Sequence, residues 1–168
     1  MGKSVYLAGP AVFHPAARQV FEYLVELCGK HGLTAITPEV DEQALAALDK
    51  ADQAAWIRAQ NVAKIRAADA VLACISPFRG PGADAGTAWE MGYAEALGKP
   101  VVAWSEEPGD YRSRVAADAD PKGIWWCRQH GMIVEDFGLT DNLMLTAGPH
   151  PVEKDFEAAV TAVAALLA

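Results

Sequence analysis

Residues 69–104 read DAVLACISPFRGPGADAGTAWEMGYAEALGKPVVAW. The run 70–75 is almost wholly apolar and of strand length. Its lack of alternation predicts burial on both faces, as in a parallel sheet lying under helices. A glycine-rich loop follows, then a helical pattern over 87–97, then a second short apolar strand over 101–104. Strand, loop, helix and strand in that order make a βαβ unit, and a parallel sheet follows from it.

The same alternation continues outward. Residues 4–8 read as a strand ending at Gly9-Pro10. Residues 15–30 carry Val20, Phe21, Leu24 and Leu27 at helical spacing, with Gly29 and Gly32 as stop signals. Residues 33–37 form a second strand closed by Pro38. An Ala-rich section over 41–68 is helical with breaks. A short strand near 132–134 and a helix over about 152–167 complete the pattern. The expected class is α/β: a flavodoxin-like, doubly wound three-layer sandwich with a mostly parallel five-stranded sheet. Residues 1–168 are expected to form a single domain. The segment 105–140 is long for a connection and reads as a functional or interface loop.

The formal net charge of −8 argues against a nucleic-acid backbone or an anionic membrane surface as partner. The opening MGKSVYLAGP holds one Lys and a run too short for a secretory leader, and no stretch reaches transmembrane length. Cys28, Cys74 and Cys127 are odd in number and far apart, and two lie in apolar surroundings, so buried free thiols are expected, with no metal site among them and the histidines. A cytoplasmic location is the expectation that fits.

In such a fold, chemistry sits at the carboxyl ends of the strands. Those ends are residues 9–14, 38–39, 76–84 and 104–106, whereas Asp69 precedes its strand and belongs to the opposite rim. The loop after the 70–75 strand carries Asp84, and the helix carries Glu90 six residues on. Two side chains at that separation do not share a helical face, so they converge only if Asp84 lies in the loop and Glu90 in the helix. T-A-W-E fits a capping box with Thr87 as N-cap and Glu90 at N3. Two readings are therefore open. Glu90 caps its own helix while Asp84 orders a turn, or Glu90 is an ionised carboxylate beside a cleft, favoured by the helix N-terminus and in register with Tyr93, Ala94 and Leu97 facing inward. Gly80, Gly82 and Gly86 do not have dinucleotide-loop spacing, and Asp84 would repel a phosphate. The glycines are read as letting the backbone approach a small ligand.

Three blocks, VYLAGPAVF (5–13), IRAADAVLACISPFRGPGADAGTAWEMGYAEALGKPVV (65–102) and EDFGLTDNLML (135–145), resemble the nucleoside 2-deoxyribosyltransferase family. The resemblance implies that Glu90 is the nucleophile, attacking the anomeric carbon to form a covalent glycosyl-enzyme by retaining chemistry. It implies that Asp84 holds a sugar hydroxyl and that Tyr6 positions the nucleophile; on the residues alone, Tyr6 is equally a strand aromatic. Asn142 matches a residue that reaches into the neighbouring subunit's site to bind the 5′-hydroxyl, and would otherwise be an ordinary loop Asn. Phe13 and the Phe78-Arg79 pair would flank the base, although a Phe in A-V-F is commonly core. Gly9 and Met144, in the matching blocks, complete the substrate-binding set.

One position departs from the family pattern. Asn61 stands where members commonly carry Asp, and an amide cannot donate a proton as a carboxylic acid does. Asn61 can still orient the base by hydrogen bonding. Glu39, at the end of the second strand, is the alternative proton source. The expected reaction is transfer of 2-deoxyribose between nucleobases, acting on small-molecule deoxynucleosides with no metal or organic cofactor, in a homo-oligomer with Asn142 donated across the interface. The competing readings are N-glycoside hydrolysis of a 2′-deoxynucleoside or its 5′-monophosphate, and a non-catalytic nucleoside- or nucleotide-binding module. Family hydrolases of monophosphates place small hydroxyl residues at the positions of Asp84 and Asn142, so unphosphorylated substrates are expected.

Overall fold

The computed structural model describes residues 2–107, 109–149 and 151–168. Four parallel strands form the central sheet: β1 (Ser4–Ala8), β2 (Thr34–Ile36), β3 (Ala70–Cys74) and β4 (Val101–Trp104), in the order β2-β1-β3-β4. The apolar run of β3 lies between β1 and β4 and is buried on both faces, as its sequence predicts.

Alternation along the strands divides the core into two layers. Val5, Leu7, Leu72 and Val102 meet Phe21 and Leu24 of α1 (Ala17–Lys30) and Phe156, Val160 and Val163 of α7 (Phe156–Leu167). Tyr6, Ala8, Val71, Ala73 and Ala103 face the other way, onto Ile65 of α3 (Lys50–Ala67) and Met91 and Ala94 of α4 (Ala85–Ala96). The expected break in the Ala-rich section falls between α2 (Glu42–Ala46) and α3, where Asp41 and Asp49 each cap a helix.

Among the described residues the sheet has four strands where five were expected. Residues 132–134 do not join it. They extend the antiparallel ribbon of β5 (Ala117–Ala119) and β6 (Trp125–Cys127) through a bridge between Trp126 and Ile133. Met132 and Ile133 stay exposed, so their apolar pattern is not satisfied by the central core. The fifth position at the sheet edge holds a single parallel rung, Trp104 with Glu153. Pro151, next to it, has no N–H to continue a ladder. The segment after β4 also contains two short helices, α5 (Tyr111–Arg114) and α6 (Leu143–Thr146).

The chain leaves β1 toward β2 on one side and returns to β3 on the other. The carboxyl ends of β1 and β3 therefore flank the topological switch point, where open α/β sheets bind ligands. Asp69 is at the opposite rim, as expected, accepting hydrogen bonds from the Ser4 N–H and hydroxyl. All three cysteines are free, but only Cys28 is fully buried; Cys74 and Cys127 are half-buried. No helix among the described residues is long and apolar enough to cross a membrane.

Gly9 begins the turn at the switch point with φ 153°, and a Cβ there would lie 2.8 Å from the Cys74 Cβ on the neighbouring strand. Gly9→Ala is expected to destabilise the fold by about 1–3 kcal/mol, read from urea unfolding midpoints.

Candidate active site

The helix that follows β3 starts earlier than its capping-box pattern suggests. Asp84, not Thr87, is the N-cap of α4, and its Oδ2 accepts from the Thr87 N–H at 3.0 Å and the Thr87 hydroxyl at 3.2 Å. Asp is at least as good a cap as Thr, and this one sits three residues ahead of it. Thr87 becomes a buried residue of the first turn, and Glu90 moves to the second turn, out of reach of the cap. The capping reading of Glu90 is thereby removed. Asp84 lies before the helix and Glu90 within it, the only arrangement that lets them converge. The inward stripe of α4 is Thr87, Met91 and Ala94, and Leu97, expected inside, is exposed.

Glu90 instead meets the sheet. The Tyr6 hydroxyl, on a fully buried side chain of β1, donates to Glu90 Oε1 at 2.7 Å. Among the described residues no hydrogen bond reaches Glu90 Oε2 or Asp84 Oδ1. Each carboxylate thus has one oxygen anchored and one available.

The ionisation of Glu90 differs from expectation. Burial pushes its pKa up to about 7; the Tyr6 hydrogen bond opposes the rise, and the negative charge of Asp84 adds to it. The helix N-terminus was expected to hold the anion, but that influence falls off within the first turn, and Glu90 is in the second. Tyr6 is driven well above the ordinary tyrosine range, first by burial and then by Glu90, so it remains a proton donor.

Glu90 and Asp84 line one cavity of about 630 Å³ with Gly9, Phe13, Glu39 and Asn61. Six of the expected residues therefore surround one space, with Tyr6 behind Glu90. Glu39 is exposed at the mouth and accepts from the Thr37 hydroxyl at 3.0 Å. Asn61, on α3, has a buried Oδ1 with no hydrogen-bond partner among the described residues. An unpaired buried acceptor is unfavourable, and such atoms gather where a ligand or water completes the bonding. Arg18, Leu45 and Ile57 also line the cavity. Nothing local in the sequence marks them; they arrive through the packing of α1, α2 and α3.

The other candidates, apart from Phe13, do not line this cavity. Phe13 is not core: it is 56% exposed and stacks on Phe78 at 5.3 Å, with the Arg79 guanidinium over both rings. Phe78 lines a neighbouring cavity of about 750 Å³ between α1 and α7. That cavity is larger, but the raised carboxylate and the unpaired amide belong to the smaller one, which is why the smaller one is the candidate site. Asn142 and Met144 flank a third groove, beside α4, and do not line the Glu90 cavity of their own chain. Asn142 caps α6 and donates its Nδ2–H to Glu135 at 2.6 Å, while Met144 is 78% exposed. Gly82 in the loop and Gly86 in the first turn of α4 lie against carboxylates. A Cβ on Gly86 would lie 2.9 Å from Asp84 Oδ2, and one on Gly82 would lie 3.4 Å from Asp141 Oδ1. Among the described residues no cluster of His, Cys, Asp and Glu has the make-up of a metal site.

The family model for nucleoside 2-deoxyribosyltransferase matches residues 5–144. The structure is similar to that of the 2-deoxyribosyltransferase from Leishmania mexicana, with 33% identity, a TM-score of 0.78 and 97% of each chain covered. A 2-deoxyribosyltransferase from Bacillus psychrosaccharolyticus is similar at 25% identity over 61% of this chain and 72% of its own, with a TM-score of 0.47. An uncharacterized protein of Schizosaccharomyces pombe is 32% identical over 66% of this chain, which spans about half (54%) of that relative's length.

The opposing influences on Glu90 predict shifts of opposite sign. Tyr6→Phe removes the hydrogen bond that favours the anion and raises the Glu90 pKa above about 7; Asp84→Asn removes a like charge and lowers it. Carboxyl-carbon NMR titration of the two variants checks both directions. Shifts of the same sign would contradict this balance.

Proposed function

The chain belongs to the nucleoside 2-deoxyribosyltransferase family, and on that footing we propose that it moves 2-deoxyribose from one nucleobase to another by double displacement at Glu90. The supporting observation is the Tyr6-held Glu90, with one free oxygen, facing a cavity that also presents Asp84.

In the first step Glu90 Oε2 attacks C1′ of the bound deoxynucleoside. The C1′–N bond breaks through an oxocarbenium-like state, and a glycosyl ester forms. In the second step a ring nitrogen of the incoming base attacks C1′ from the face the first base left. The ester C1′–O bond breaks, the incoming base passes its N–H proton to the Glu39 carboxylate left by the first step, and the Glu90 carboxylate is restored. Two inversions retain the configuration. Tyr6 keeps Oε1 anchored so that Oε2 carries the reacting lone pair. Asp84 Oδ1 accepts a sugar hydroxyl. Asn61 hydrogen-bonds the base edge. Glu39, a carboxyl on the same cavity, supplies the proton that Asn61 cannot. Asp84 also disfavours a 5′-phosphate, so the substrates are unphosphorylated.

Base exchange tests this directly. With a deoxynucleoside and a second free nucleobase, the protein is expected to form the second deoxynucleoside, and Glu90→Ala to lose about a thousandfold or more of that rate. Because attack needs the anion, kcat/KM is expected to fall about tenfold per unit of pH below about 7. Release of free sugar with no exchange would assign hydrolysis, and no turnover at all would leave a binding module.

Asn142 lies off its own chain's cavity, which favours the reading that it completes a neighbour's site in a homo-oligomer. Glu90→Ala and Asn142→Ala proteins, each inactive, are then expected to regain activity on mixing, up to about a quarter of wild type for a freely exchanging dimer. No recovery, with subunit exchange confirmed, would place Asn142 within one chain's function.

A further inference from the structure

We infer that the ion pair of half-buried Arg114 with buried Asp141 positions the loop that carries Asp84, and so sets how strictly the site reads the hydroxyls of its sugar. The inference rests on the deoxyribosyl-transfer reading and goes beyond the residues that touch substrate.

The two side chains are 15% and 3% exposed, with Arg114 Nη2 lying 3.8 Å from Asp141 Oδ2. Each is spent on backbone. Asp141 accepts the Ala83 N–H at 2.9 Å and the Asn142 N–H at 2.7 Å. Arg114 donates to the carbonyls of Pro81 at 2.9 Å, Gly109 at 3.2 Å and Thr140. One cation and one anion thereby clasp three segments that share no sheet: the loop after β3, the start of α5 and the entry to α6. Gly82 fits the carboxylate beneath the loop, since a Cβ there would approach Asp141 Oδ1 to 3.4 Å.

Among the described residues, the hydrogen bonds that tie 81–83 to segments outside their own loop all come from this pair. Asp84 follows directly. Glu90 does not depend on the clasp, because Tyr6 and α4 hold it. The clasp therefore acts on sugar placement and not on the attacking group. A buried ion pair adds little net stability compared with an apolar packing of the same volume, but it fixes geometry through its directed bonds. A misplacement of about 1 Å costs on the order of a hundredfold in rate. Asp141 also sets the backbone of Asn142, so one clasp governs the sugar contacts on both sides of the proposed interface.

Asp141→Asn and Arg114→Lys test this, the second retaining charge while losing the forked donor. Each is assayed with a deoxynucleoside and with its 2′,3′- and 2′,5′-dideoxy analogues, beside Asp84→Ala. Wild type is expected to discriminate against the analogue whose missing hydroxyl Asp84 holds, and Asp84→Ala to lose that discrimination. Both clasp variants are expected to lose about 10–100-fold in kcat/KM on the full deoxynucleoside. They are also expected to lose most of the same discrimination and to keep the acid limb near pH 7. If Asp141→Asn does not fold, Arg114→Lys decides alone. Variants that keep wild-type discrimination, or whose losses are equal on all three substrates, overturn the inference. A wild-type protein that transfers no deoxyribose overturns the underlying reading first, a result distinct from either.

Discussion

The hydrogen bond from Tyr6 to Glu90 joins the centre of the sheet to the helix that covers it. It is possible because alternation on β1 turns Tyr6 to the α4 side, and because Ala8, Ala73 and Ala103 keep that face of the sheet low where α4 passes. The same burial that shapes the contact removes water from Glu90 and raises its pKa to about 7. A carboxylate in that state is poorly solvated and held at one oxygen. It is a better nucleophile than a hydrated one, and it lies within reach of full ionisation just above neutrality.

The other features of the site are arranged around that constraint. Asp84 lines the same cavity as Glu90, with Oδ2 capping α4 and Oδ1 receiving no hydrogen bond among the described residues. Its charge also works against ionisation of Glu90. Asn61 adds an unpaired acceptor to the same cavity wall. An unpaired buried acceptor of this kind is unfavourable until water or a ligand completes its bonding.

Much of this was legible from residue patterns, and the reasons differ by element. The buried strand of 70–75 declares itself because a parallel strand covered on both faces needs no polar residues. Asp84 and Glu90 could be paired because their spacing admits only one convergent geometry. The N-cap was misplaced because T-A-W-E and A-D-A-G-T both offer a cap, and the choice between them depends on how the loop enters the helix. The fifth strand was misplaced because an apolar triplet at 132–134 reads the same whether it joins a core or a small ribbon. The pKa of Glu90 depends on burial, which a sequence does not state. The Arg114–Asp141 clasp links residues far apart in the chain with no periodicity to signal them.

The central claim is that the oxygen left free by Tyr6 becomes bonded to the sugar. The most direct measurement is peptide mapping by mass spectrometry after an acid quench of the protein with a deoxynucleoside and no acceptor base. The expected result is one deoxyribosyl group on the side chain of Glu90, released when a nucleobase is added before the quench. A sugar carried on another residue, or base exchange proceeding with no modified peptide at any quench time, would contradict it.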